Sequence, residues 1–227
     1  MSSVVNRTPS MLEWGASSRE AKVAVLAIHG RGQTPESMKE FSTSLSTPNA
    51  RFFAPSAENA SWYPHPFLEP LEKNQHELDR SLALIPQFLS AIASAGYSPE
   101  KTVLWGFSQG ACLLAHYLAM RHFKCGAAIL LTGGYIGPNS LPEFRGLPLA
   151  DIPILMRTVA EDPWVPQWRV EETAENFSQR GAKVDLKVAP GAEHIITKEA
   201  FAAASELINS VAAKRENSFG AAGHGLA

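Results

Sequence analysis

Thr102-Val103-Leu104-Trp105-Gly106-Phe107-Ser108-Gln109-Gly110-Ala111 is the stretch that decides the fold. It opens as a continuous apolar run, the pattern of a strand buried on both faces of a parallel sheet. Helix-forming residues follow from Gln109 to Arg121. Between the two lies Gly106-Phe107-Ser108-Gln109-Gly110, a G-x-S-x-G at a strand-to-helix turn. A residue on so sharp a turn is forced into an unfavourable backbone conformation, with no room beside it for neighbouring Cβ atoms. The turn projects the Ser108 hydroxyl above the sheet, with a helix N-terminus beneath any negative charge that develops there. The plainer alternative is a helix N-cap serine between two ordinary turn glycines.

Outward from this turn, strands and helices alternate. Val23-Ala24-Val25-Leu26-Ala27-Ile28 is a second buried strand, ending in His29-Gly30-Arg31-Gly32. Thr34-Pro35-Glu36 then starts a helix, with Thr34 as N-cap and Pro35 in the first turn. Met38, Phe41 and Leu45 share a face of it. Arg51-Phe52-Phe53-Ala54 is a short strand that leads into a Pro- and aromatic-rich loop over residues 61–70. Leu71, Leu78, Leu82, Ile85, Leu89 and Ile92 recur at helical spacing, and Pro86 among them predicts a kink or break. Further strands are expected at 127–131, 154–159 and 184–188, and helices at 167–179 and 198–214. Such alternation predicts an α/β fold with a mostly parallel central sheet and helices on both faces. One domain over residues 1–215 accounts for the pattern, without length for a large lid domain. Residues 216–227, Gly- and Ala-rich and aperiodic, are expected to form a flexible tail with His224 as a bystander.

Composition narrows the class. The 227 residues are 45% hydrophobic with a net charge of −2, and no basic cluster suggests a nucleic-acid partner. No apolar run is long enough to span a bilayer and no basic helix suits its surface, so stable membrane insertion is not expected. The first ten residues lack the layout of a secretory signal, and a cytoplasmic protein is expected. Cys112 and Cys125 are too few for a disulfide framework. The seven histidines offer no H-x-x-x-H or H-x-H pair, so no metal is expected.

A serine hydroxyl needs a neighbouring base to become a nucleophile. On this fold the order along the chain is serine, acid, histidine. Only His194 and His224 follow Asp162, and His194 stands just after a predicted strand, where a loop can hang an imidazole over the strand ends. Asp151, Glu161, Asp162 and Asp185 lie between Ser108 and His194. Asp162 directly follows a strand and opens Asp162-Pro163-Trp164-Val165-Pro166; Glu161 is its main competitor. The oxyanion donors are expected to be the backbone N–H of Gln109, next to the serine, and that of Arg31, flanked by glycines. His29 is expected to anchor its own loop by a hydrogen bond.

Together these residues resemble the phospholipase/carboxylesterase family of α/β-hydrolases, which includes small bacterial carboxylesterases and acyl-protein thioesterases. The resemblance rests on Ile28-His29-Gly30-Arg31-Gly32, Trp62-Tyr63-Pro64, Gly106-Phe107-Ser108-Gln109-Gly110-Ala111, Asp162-Pro163-Trp164-Val165-Pro166 and Gly191-Ala192-Glu193-His194. It implies the α/β-hydrolase fold, a Ser108/Asp162/His194 triad, oxyanion donors on Arg31 and Gln109, and hydrolysis of esters or thioesters without a cofactor. Arg31-Gly32-Gln33 stands where the thioesterase branch usually has Leu-Gly-Asp, and the loop from Trp62 to Leu68 is closer to the carboxylesterase branch. The resemblance therefore implies an esterase acting on small molecules before an acyl-protein thioesterase. Lactone or dienelactone hydrolysis, (lyso)phospholipid cleavage and a catalytically silent binding protein are the alternatives. Trp62, Phe67 and Leu68 either line the substrate pocket or fold back into the core, and Trp164 and Tyr135 are further pocket candidates. A homodimer is open, since the sequence marks no interface.

Overall fold

Six consecutive apolar residues at Val23–Ile28 serve two cores at once. Because side chains alternate along a strand, Ala24, Leu26 and Ile28 face one layer, while Val23, Val25 and Ala27 face the other. This is why the run shows no polar alternation. The computed structural model describes residues 10–121, 124–141 and 148–214. The expected tail, with His224, lies outside them. Among the described residues the strands form one seven-stranded sheet: β1 (Met11–Gly15), β2 (Val23–Ile28), β3 (Ala50–Pro55), β4 (Thr102–Phe107), β5 (Ala127–Leu131), β6 (Pro153–Val159) and β7 (Lys183–Ala189). Their order across the sheet is β1-β3-β2-β4-β5-β6-β7, parallel throughout except where β1 runs antiparallel to β3.

Helices α2 (Leu71–Ser94), α3 (Gln109–Met120) and α4 (Gln167–Gln179) contribute to one apolar layer, and α1 (Pro35–Ser42) and α5 (Lys198–Ala213) to the other. The predicted strands and helices are present within a residue or so of their expected ends, α1 excepted: it stops at Ser42, before Leu45. Two features differ. β1 is a half-buried edge strand absent from the sequence reading, held by Met11↔Pro55 to Gly15↔Arg51 pairing. Helix α2 runs unbroken through Pro86, whose ring lies on the exposed face. There the Leu82 carbonyl that loses its donor can turn to water, so a break is not required. Among the described residues no helix is long and apolar enough to cross a membrane.

All the parallel strands deliver their C-terminal ends to one edge of the sheet, where ligand sites of open α/β sheets lie. The segments after β2, β4, β6 and β7 therefore meet. They carry Gly30 and Arg31, Ser108, Asp162, and His194 respectively.

Candidate active site

Ser108 follows β4 without a spacer and has φ 53° and ψ −121°. Such a conformation in a non-glycine residue costs about 1–3 kcal/mol and persists only where its surroundings enforce it. Here the Ser108 N–H donates to the Leu131 carbonyl at 2.9 Å, and its own carbonyl accepts from Cys112 N–H at 2.9 Å. The side chain makes no capping bond to helix α3, which removes the simple N-cap reading. The motif's glycines are required by space. A Cβ on Gly110 would stand 2.2 Å from the Ile28 carbonyl oxygen, and one on Gly106 would stand 2.7 Å from Ala111 N. Both obstacles are backbone, which cannot swing aside. Gly110→Ala is therefore expected to cost about 3 kcal/mol or more through overpacking. Denaturant unfolding reads this directly, and an unchanged midpoint would mean that the turn relaxes freely.

The Ser108 hydroxyl faces His194, with Oγ 2.8 Å from Nε2. On the other side of the ring, Nδ1 lies 2.7 Å from Asp162 Oδ2. A carboxylate only accepts, so Nδ1–H donates to Asp162 and the Nε2 lone pair is left for the serine proton. Asp162 Oδ1 accepts the N–H groups of Trp164 and Val165, each at 2.9 Å. Burial of this carboxyl would raise its pKa, but the bonds from His194, Val165 and Trp164 prevail and hold it below 3.8. The loops carrying acid and base are stitched together by Ala160 N–H to the Ala189 carbonyl (2.9 Å) and Glu161 N–H to the Gly191 carbonyl (3.0 Å). The Phe107 ring packs against the imidazole at 5.2 Å between centroids.

The competing acids lie elsewhere. Glu161 is exposed, Asp151 pairs with Lys183 at 2.8 Å, and Asp185 pairs with Arg157 at 2.8 Å. His29 is fully buried and its loop role is visible in the bonds. Nε2 accepts Ala57 N–H at 3.1 Å, so Nδ1–H donates to the Gly30 carbonyl at 2.7 Å. Burial lowers its pKa, which keeps the ring neutral and this tautomer fixed.

A Cβ on Gly30 would lie 3.2 Å from the Ser108 Cβ, so the loop after β2 runs directly beside the serine. The Gln33 side chain braces the turn of that loop by accepting Gly30 N–H at 2.9 Å. Among the described residues, neither the Arg31 N–H nor the Gln109 N–H is engaged by a hydrogen bond. For Gln109 this follows from its position as the first residue of α3. A cavity of about 420 Å³ opens over Ser108 and His194, with walls that include Tyr63, Phe67, Cys112 and Trp164. A larger groove of about 910 Å³ lies at the opposite ends of the strands, and its Lys101 is committed to the carbonyls of Val211, Ala212 and Lys214. It holds none of the Ser108, Asp162 or His194 side chains, so the smaller cavity is the candidate site.

The model of the phospholipase/carboxylesterase family matches residues 13–212. The chain belongs to that family. This phospholipase/carboxylesterase-family chain is 33% identical to a phospholipase/carboxylesterase from Dyadobacter fermentans, over 88% of this chain and 96% of that one, with a TM-score of 0.81. Acyl-protein thioesterase 1 of Debaryomyces hansenii is 30% identical over 116 residues, which span 51% of this chain and only 50% of that relative. Esterase PE8 shares the fold at a TM-score of 0.74 and 24% identity, covering 89% of this chain and 98% of that one.

Within this family member the pocket candidates divide. Phe67 and Trp164 line the cavity, Trp164 being 71% exposed at its mouth. Trp62 does not. It is buried, its Nε1–H donating to the His29 carbonyl at 2.9 Å and its ring packed against His29. Tyr135 is buried as well, stacked on His116 at 4.5 Å between centroids, and Leu68 packs against the core. In their place Tyr63, Pro66, Cys112 and Val165 line the cavity. Asn74, not among the residues singled out from the sequence, is fully buried on α2 and bonds the loop beside the cavity. The signal was present: Asn74 falls on the core-facing stripe with Leu78, Ser81, Ile85, Phe88 and Ile92. A polar residue on that stripe must find partners.

Proposed function

We propose that the protein is a serine hydrolase that cleaves small carboxylic esters through an acyl-enzyme on Ser108. The observation that carries this reading is the continuous hydrogen-bonded chain from Ser108 Oγ to His194 to Asp162, at 2.8 and 2.7 Å, opening into an apolar-walled cavity. In the first half-reaction Ser108 Oγ attacks the acyl carbon while His194 Nε2 takes the hydroxyl proton. The carbonyl oxygen becomes an oxyanion and turns toward the N–H groups of Arg31 and Gln109. Collapse breaks the bond to the leaving alcohol, which receives the proton from His194. In the second half a water repeats the sequence on the acyl-enzyme, releasing the acid and restoring Ser108. His194 accepts the hydroxyl proton at Nε2, so the reaction proceeds from the neutral imidazole with its proton on Nδ1.

The cavity's size favours a compact acyl or aryl group, and Phe67 and Tyr63 supply apolar contact. No cofactor enters this mechanism. A fluorophosphonate probe should label Ser108 covalently, and acyl aryl esters of graded length should be hydrolysed best at the short end. Thioesters and lactones set beside them test the neighbouring chemistries, thioester cleavage being the activity named for the Debaryomyces relative. A folded protein that takes up no label at Ser108 would sink the proposal and revive a binding role. Trp164→Ala is expected to raise KM about threefold to tenfold for aryl esters with kcat held, as loss of uniform binding does. Unchanged KM would remove Trp164 from the substrate's path.

A further inference from the structure

Residues 61–66 form an irregular strap along one side of the cavity, carrying Tyr63 and Pro66 into its wall and leading directly to Phe67. Irregular backbone must still satisfy its polar groups. Here side chains do so from three directions. The Arg31 guanidinium donates to the Pro64 carbonyl at 2.6 Å, the His65 carbonyl at 2.8 Å and Ser61 Oγ at 3.3 Å. The Gln109 amide accepts Trp62 N–H at 3.0 Å and donates to the Tyr63 carbonyl at 2.7 Å. From α2, Asn74 accepts His65 N–H and donates to the Pro66 carbonyl, while Ser81 Oγ–H donates to the Trp62 carbonyl.

Arg31 and Gln109 are the same two residues whose backbone N–H groups the proposed mechanism turns on the oxyanion. We propose that the Arg31 guanidinium is a positioning group that locks the pocket wall to the oxyanion donors. The idea rests on the serine-hydrolase reading above. A planar fork aimed at two carbonyls fixes the side chain, and through it the backbone of residue 31. A shift of the wall is then a shift of the donor. Its position over the Tyr63 ring, 5.5 Å from the centroid, adds a further restraint. The strap thereby engages both terminal nitrogens of the guanidinium.

Arg31→Ala and Arg31→Lys test this, since lysine keeps the charge but not the fork. Both retain the backbone N–H. Each is expected to lower kcat about tenfold to hundredfold, the scale of a roughly 1 Å misplacement, with KM changed less than about threefold. Hydrogen exchange at the Trp62 and His65 amides should quicken, a readout that requires no turnover. Added guanidinium, well below denaturing concentration, should restore part of the Arg31→Ala kcat, whereas ammonium of equal charge should not. If Arg31→Ala fails to fold, Arg31→Lys alone carries the exchange and kcat comparison. Unchanged amide exchange overturns the clamp. Faster exchange with unaltered kcat overturns the coupling, and equal rescue by ammonium would assign the effect to charge rather than geometry. Failure of the unmodified protein to label at Ser108 is a separate result, which removes the hydrolase reading and this role with it.

Discussion

Ser108→Ala is expected to lower kcat toward acyl aryl esters by roughly 10⁴- to 10⁶-fold with KM nearly unchanged, the scale seen when a nucleophile that acts as a unit with its base is removed. The residual rate would come from the cavity and the oxyanion donors, which the substitution leaves in place. Stability should behave differently from activity. Ser108 has φ 53°, and alanine keeps the Cβ that makes this conformation costly. Ser108→Gly removes it and is expected to be more stable than Ser108→Ala by about 1 kcal/mol, while equally inactive. Strain at the proposed nucleophile would then be measured as a gain in Tm bought with catalysis. Steady-state kinetics and thermal unfolding of the two variants check both parts. Activity within tenfold of the parent in Ser108→Ala would rule out the acyl-enzyme mechanism. Equal stability of the two variants would show that the turn carries no strain.

The proposed site was legible in the sequence wherever position followed from local chemistry, and illegible where it depended on distant partners. Ser108 sits between an apolar strand and a helix, and Asp162 and His194 sit just past strands, so the parallel sheet brings them to one edge. Their order along the chain then leaves few choices. Trp62 and Tyr63 show the opposite case. Both are aromatic, adjacent, in an irregular loop and buried in the same core, yet only Tyr63 also reaches the wall of the cavity over Ser108. What selects between them is the set of bonds that His29, Arg31, Gln109 and Asn74 make to this loop, spanning 8 to 47 positions along the chain. The separation ensures that no local pattern records the choice. Strand β1 leaves little local pattern for a related reason: Met-Leu-Glu-Trp-Gly buries only part of itself, and its pairing with β3 supplies most of its definition. Pro86 predicts a kink or break because proline costs a helix a donor, but the cost depends on whether the orphaned carbonyl meets water, and that is set by which face it occupies.

Asp162→Asn should have the second large effect, and its cause lies in a tautomer. Asp162 Oδ1 already accepts two backbone N–H groups, those of Trp164 and Val165. An asparagine at this position must keep its oxygen there, because its amide nitrogen cannot accept them. That places the NH₂ group where Oδ2 now faces His194 Nδ1. The imidazole would answer by accepting at Nδ1 and carrying its proton on Nε2, pointed at the Ser108 oxygen. In that state it cannot act as the base, and kcat is expected to fall about 10⁴-fold, with the geometry preserved. The same substitution changes the acid limb of stability. Asp162 is held below the 3.8 of an ordinary aspartate, so in the folded state it binds its proton less readily than in the unfolded chain. Its contribution is therefore complete above about pH 4 and is lost as pH falls through the lower, folded value. The stability gap between the parent and Asp162→Asn should be constant near neutrality and close below about pH 4. Unfolding curves across that range, set beside kcat at neutral pH, separate the two roles. A gap that widens on acidification would contradict the assigned direction, and an Asp162→Asn variant with near-normal kcat would show that His194 takes its orientation from another group.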